Sequence, residues 1–167
     1  TSGIKKIDDP AFEESASRVG GVIGDFPAEA YLEAKEAKKY DRYIQYAYAA
    51  AKQALDMANP GDDWDAERAG VYVGSGVGGI ETIMRNHEAF LAKGARRVSP
   101  VLVRMMISNL ASGVIAIKTG FKGANYAPVS ACATANTAIG EALLSIRPGY
   151  ADLMLAGRAH ARIPPLR

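Results

Sequence analysis

The chain has one cysteine, Cys132, two histidines, His87 and His160, and a single tryptophan. One cysteine cannot close an internal disulfide, and so few histidines leave no Cys/His cluster at metal-ligand spacing. A reducing compartment fits that usage. No apolar run reaches the roughly 20 residues that a membrane helix needs, and no signal-peptide pattern opens the chain. The formal net charge of +2 gives no reason to expect nucleic acid, although it leaves room for local basic patches. What is present is an ordinary core-forming composition: 167 residues, 49% hydrophobic and 23% charged, enough for one domain with a real interior.

Residues 1–30 lack sustained periodicity and read as an irregular surface segment with short extended pieces. From Ala34 to Met57 the pattern is helical, with Tyr40, Tyr43, Ile44, Ala47, Tyr48, Ala51 and Leu55 on one face. Asn59-Pro60-Gly61-Asp62 ends it. Gly70–Gly74 reads as a short buried strand, Ile80–Leu91 as a second helix, and Pro100–Thr119 as a long apolar third. Asn125–Ala131 reads as a strand, Thr134–Ile146 as a helix behind it, and Ala151–Gly157 as a last strand. Strands alternating with helices predict an α/β layered fold on a mostly parallel sheet.

Cys132 falls where small and β-branched residues give way to a good helix former. A cysteine at a strand-to-helix corner lies near the first free N–H groups of the helix, whose partial positive charge favours the nucleophilic thiolate. The competing reading is a small buried apolar side chain, the fate of most free cysteines.

The residues around Cys132 resemble the nucleophile segment of the β-ketoacyl-[acyl carrier protein] synthases, most of all the elongating 3-oxoacyl synthase II branch. The likeness runs through Ser130-Ala131-Cys132-Ala133-Thr134, Asn136 and Ala138-Ile139-Gly140-Glu141-Ala142. Further along the chain Gly74-Ser75-Gly76-Val77-Gly78-Gly79, Ser99-Pro100, Asn109-Leu110-Ala111-Ser112-Gly113, Gly120-Phe121-Lys122-Gly123 and Ala151–Gly157 follow the family's order. The resemblance implies a thiolase-like layered αβαβα fold, of which residues 1–167 make a partial N-terminal half. The family's first strand and whole second half are then expected to lie outside this chain.

The resemblance implies that Cys132 attacks the thioester of an acyl carrier protein and holds the acyl chain, its own N–H forming part of an oxyanion hole. Val77, Leu102 and Ile107 would line the acyl pocket, with no metal or organic cofactor. A homodimer in the cytoplasm, or in the plastid stroma of a plant, is implied as well. The family's two catalytic histidines and a supporting lysine belong to second-half motifs that nothing here matches. Neither His87 nor His160 takes those roles; His87 reads as a core or boundary histidine of an amphipathic helix. Three relatives of this reading stay open: an initiating synthase that uses acyl-coenzyme A, a polyketide ketosynthase, and a non-catalytic partner subunit, a class that characteristically lacks the cysteine.

Three features carry competing readings. Gly74–Gly79 has the look of a dinucleotide-binding turn but lacks the acidic residue that such a site needs; an acyl-pocket turn or an ordinary tight turn competes with it. Lys35, Lys38 and Lys39, with Arg96 and Arg97, are either solvated faces or, by resemblance, the docking surface for an acidic carrier protein. Arg158, His160 and Arg162 alternate, so a continuing strand would turn all three to one side, at high cost on a core face. Either the tail leaves the sheet or it is not the native continuation, and the second is preferred.

Overall fold

A computed structural model describes residues 2–161. Its centre is the strand β3 (Ala69–Gly74), every residue of which is buried. Two parallel neighbours flank it in the order β4-β3-β5, where β4 is Asn125–Tyr126 and β5 is Leu153–Arg158. Parallel strands need helical crossovers that cover both faces, which is why β3 reads as a continuous small and apolar run rather than an alternation.

The pleat divides that run between two cores. Ala69, Val71 and Val73, with Leu155, pack on the side of helices α2 (Arg42–Ala58) and α5 (Leu110–Thr119), against Tyr43, Ile44, Ala47, Val114 and Ile115. Tyr72 points the other way, against Ala138 and Ala142 of helix α6 (Thr134–Ile146). The result is an α/β/α sandwich. Near the amino terminus, β1 (Ile4–Lys6) and β2 (Val19–Gly21) form a separate antiparallel pair, the short extended pieces expected there.

Two helices expected to be continuous are broken. The run from Ala34 splits into α1 (Ala34–Ala37) and α2, because Asp41 has extended backbone and caps α2, accepting from Tyr43 N at 3.2 Å. The same buried carboxylate accepts from Thr82 N at 2.9 Å and from Thr82 Oγ1 at 2.7 Å, fastening α2 to helix α3 (Ile80–Lys93). The apolar run from Pro100 splits into α4 (Leu102–Met106) and α5, with Ile107 extended between them. The strand expected over 125–131 contracts to two paired residues; 127–130 run on without ladder pairing.

The tail also corrects the sequence reading. Ala159 N donates to the Gly74 carbonyl at 3.0 Å, so the chain stays beside β3. Ala159 and Ala161 enter the core, while Arg158 and His160 are exposed. The alternation is real, but its cationic side faces outward, so the anticipated burial cost never arises. Arg162 lies outside the described residues.

Candidate active site

Cys132 sits in the single 3₁₀ turn Ala131–Ala133 that leads directly into α6, and it is exposed. Ala131, just before it, has φ 48°, in the left-handed region where a residue with a Cβ is strained by about 1–2 kcal/mol. Hydrogen bonds hold the strain in place. Thr134, fully buried, donates its hydroxyl to the Ala131 carbonyl at 2.8 Å and accepts from Ser130 N at 3.1 Å. Ala133 N donates to the Ser130 carbonyl at 2.9 Å, and the Ser130 and Thr137 hydroxyls lie 2.6 Å apart. The turn therefore lifts Cys132 off the carboxyl end of the sheet at the head of a 13-residue helix. This is the corner geometry in which backbone N–H groups can meet a developing oxyanion.

The glycine turn after β3 is built to pass close to backbone. A Cβ at Gly74 would lie 2.0 Å from the Pro128 carbonyl oxygen and 2.6 Å from Thr134 Cγ2, so only glycine lets the nucleophile segment close on β3. Gly78, at φ +64°, would put a Cβ 2.2 Å from the Met106 carbonyl oxygen and 3.3 Å from the Ile107 carbonyl carbon. At Gly76 the nearest atom is Ala131 Cα, 3.8 Å from a Cβ position, with Arg158 Nη2 at the same distance. Val77 is thus the middle residue of a turn that touches the nucleophile segment on one side and the Ile107 turn on the other.

The structure brings Val77, Ile107 and the Cys132 turn into one neighbourhood. Val77 is 51% and Ile107 37% exposed, and Leu102 is half-buried at the start of α4. His87, expected in a core or at its boundary, is exposed on α3. Lys35, Lys38, Lys39, Arg96 and Arg97 are all exposed, and none forms an ion pair among the described residues. Lys38 lines an open cleft of about 500 Å³ together with Arg42, which belongs to the same basic cluster in the sequence, and Arg85, a cation that the sequence reading left out. The neighbouring Glu36 instead turns inward to Lys118 Nζ at 2.5 Å, and that contact raises the lysine above its ordinary value. Thr134 and Asp41 also escaped notice, although Asp41 ahead of an apolar-periodic run is a legible helix-start signal.

The exposed cysteine lies on a strained turn between a parallel sheet and the head of a helix, in an α/β protein. The family model described as β-ketoacyl synthase, N-terminal domain, matches residues 1–167, and the chain belongs to that family. The match takes in the tail after Gly157. The chain is 41% identical over 163 residues to 3-oxoacyl-[acyl-carrier-protein] synthase 2 of Staphylococcus aureus (strain N315), covering 97% of this chain and 39% of the relative. It is 39% identical over 166 residues to the protein of the same name from Synechocystis sp., covering 99% and 40%. Among solved structures, the ishigamide ketosynthase/chain length factor superposes with a TM-score of 0.80 at 30% identity, over 96% of this chain and 41% of that one. The α/β, thiolase-like fold expected from the sequence is the fold these ketosynthases share. The chain spans about 40% of the length of the curated relatives it matches.

Proposed function

We propose that this chain carries the nucleophile of an elongating 3-oxoacyl-[acyl-carrier-protein] synthase of fatty-acid synthesis. Cys132 Sγ attacks the acyl thioester, the carrier's thiol departs, and the acyl group remains as a cysteine thioester. Loss of carbon dioxide from malonyl carrier leaves a carbanion, stabilised as its enolate, that attacks the acyl carbonyl. The bond to Cys132 breaks, the thiolate returns, and a 3-oxoacyl carrier two carbons longer is released. The histidines that stabilise the enolate belong to the part of the parent protein beyond this chain, so the isolated chain is acylated at most.

The observation that carries this reading is Val77 held between the Cys132 turn and the Ile107 turn. It supports reading Val77, with Ile107 and Leu102, as the wall of an acyl pocket that serves Cys132. The exposed, unpaired Lys35, Lys38, Lys39, Arg96 and Arg97 suit an acidic carrier protein. A homodimer and a cytoplasmic or plastid location complete the proposal; among the described residues no helix is long and apolar enough to cross a membrane. A polyketide ketosynthase would use the same step, and the presence of Cys132 favours either over a non-catalytic partner subunit.

The test is acylation of the full-length parent by an acyl-thioester analogue, followed by peptide mapping. Label on Cys132 that is lost in Cys132→Ser supports the assignment. Label that persists in the variant sinks it.

A further inference from the structure

The turn that presents Ile107 is gripped from two sides. On one side, Gly79 N donates to the Met106 carbonyl at 3.0 Å, and Gly78 fits against the same peptide only because it has no Cβ. On the other side stands Tyr43, wholly buried on α2, whose hydroxyl donates to the Ile107 carbonyl at 2.5 Å. Helix α5 begins there, and its N-cap residue Asn109 makes no side-chain cap hydrogen bond. The Ile107 carbonyl that Leu110 N approaches at 3.4 Å, at the start of this helix, is the one the Tyr43 hydroxyl holds. Burial foremost, then the nearby Asp41 carboxylate, raises the Tyr43 hydroxyl above its ordinary value, so it stays protonated and remains a donor.

We propose that Tyr43 is a positioning residue for acyl-chain selection, its hydroxyl fixing the backbone at Ile107 and so the pose of the Ile107 side chain in the pocket wall. This rests on the reading that Ile107 lines an acyl pocket. The ring of Tyr43 belongs to the core with Ile44, Ala47 and Ile115, and phenylalanine would fill the same space. The hydroxyl is the part that reaches the pocket. Without it the Ile107 carbonyl loses its strongest partner, leaving only the long 3.4 Å approach of Leu110 N. The extended backbone at Ile107 (φ −68°, ψ 141°) is then free to relax, while Met106 stays anchored by Gly79.

The test uses the full-length parent, with Tyr43→Phe and Ile107→Ala compared across short, medium and long acyl-carrier substrates. The expected result is that Tyr43→Phe shifts the ratio of kcat/KM for long over short chains by about three- to tenfold, the factor that one buried hydrogen bond can move. Cys132 labelling by a short acyl analogue should stay unchanged. Amide hydrogen exchange at Leu110 and Ala111 should quicken in the same variant, a readout independent of turnover. If Ile107→Ala reshapes the profile while Tyr43→Phe leaves it unchanged, or lowers every chain length equally, the inference is overturned. If neither variant moves the profile, the pocket reading itself fails and takes the inference with it.

Discussion

Thr134 Oγ1 donates to the carbonyl of Ala131, three residues earlier, at 2.8 Å, and through that bond a buried side chain holds the one strained residue beside the nucleophile. Thr134→Val keeps the shape and removes both the donor and the acceptor for Ser130 N. Leaving those groups unpaired should lower stability by about 1–3 kcal/mol. It should also slow acylation of Cys132, because Ala131 can then leave its left-handed conformation. Thermal unfolding and the labelling rate of the full-length parent check both. Thr134→Ser keeps the hydroxyl and should retain most of the labelling rate.

Val77→Trp adds bulk at one depth of the proposed acyl channel. In the full-length parent, long acyl chains should be rejected while short ones still turn over, since a packed wall absorbs extra volume only at about 1–3 kcal/mol of strain. Steady-state kinetics across chain lengths decides it. A uniform loss would mean misfolding, and an unchanged profile would place Val77 outside the channel.

Reversing charge at Lys35, Lys38 and Lys39, or at Arg96 and Arg97, should raise the KM for acyl-carrier protein several-fold and weaken its salt dependence. Turnover of a small acyl-pantetheine, which lacks an acidic protein surface, should stay nearly constant. Steering between exposed charges acts on association and is screened by salt. Equal losses with both substrates would assign these residues to structure.

Asp152 gives an acid-side expectation. The Arg68 guanidinium, at 2.6 and 2.7 Å from its two carboxylate oxygens, holds the carboxyl below its ordinary value. A carboxyl whose folded value is depressed stabilises the fold above its unfolded value of about 4 and loses that contribution as pH falls through the folded one. The melting-temperature difference between the protein and Asp152→Asn should therefore be present at neutral pH and vanish on strong acidification. Both groups are exposed, so added salt should shrink it as well.

Much of the architecture follows from local chemistry, and so was legible in the chain itself. β3 is a short small and apolar run, α6 starts where its helix formers start, and the order of strands and helices alone implies a parallel sheet. Cys132 at the corner follows from the same signals. The break at Asp41 carried a helix-start signal that the apolar periodicity through Tyr40, Tyr43 and Ile44 overrode, while nothing marked the break at Ile107, where periodicity runs on through Met105, Met106 and Leu110. What interrupts them is tertiary: Asp41 finds Thr82 on another helix, and Ile107 finds Tyr43 sixty-four residues earlier.

The sequence by itself determined the family motif, the place of Cys132 at a strand-to-helix corner and the parity of Arg158 against Ala159. Only the tertiary structure decided which parity faces the core, because α2 and α5 cover the side of β5 that Ala159 shares. It alone placed Val77 between the Cys132 and Ile107 turns, since backbone approaches such as Gly74 to Pro128 and Gly78 to Met106 join segments 54 and 28 residues apart. Local pattern records what each residue prefers; the close approach of distant backbone is set by packing, and a glycine marks it without naming its partner.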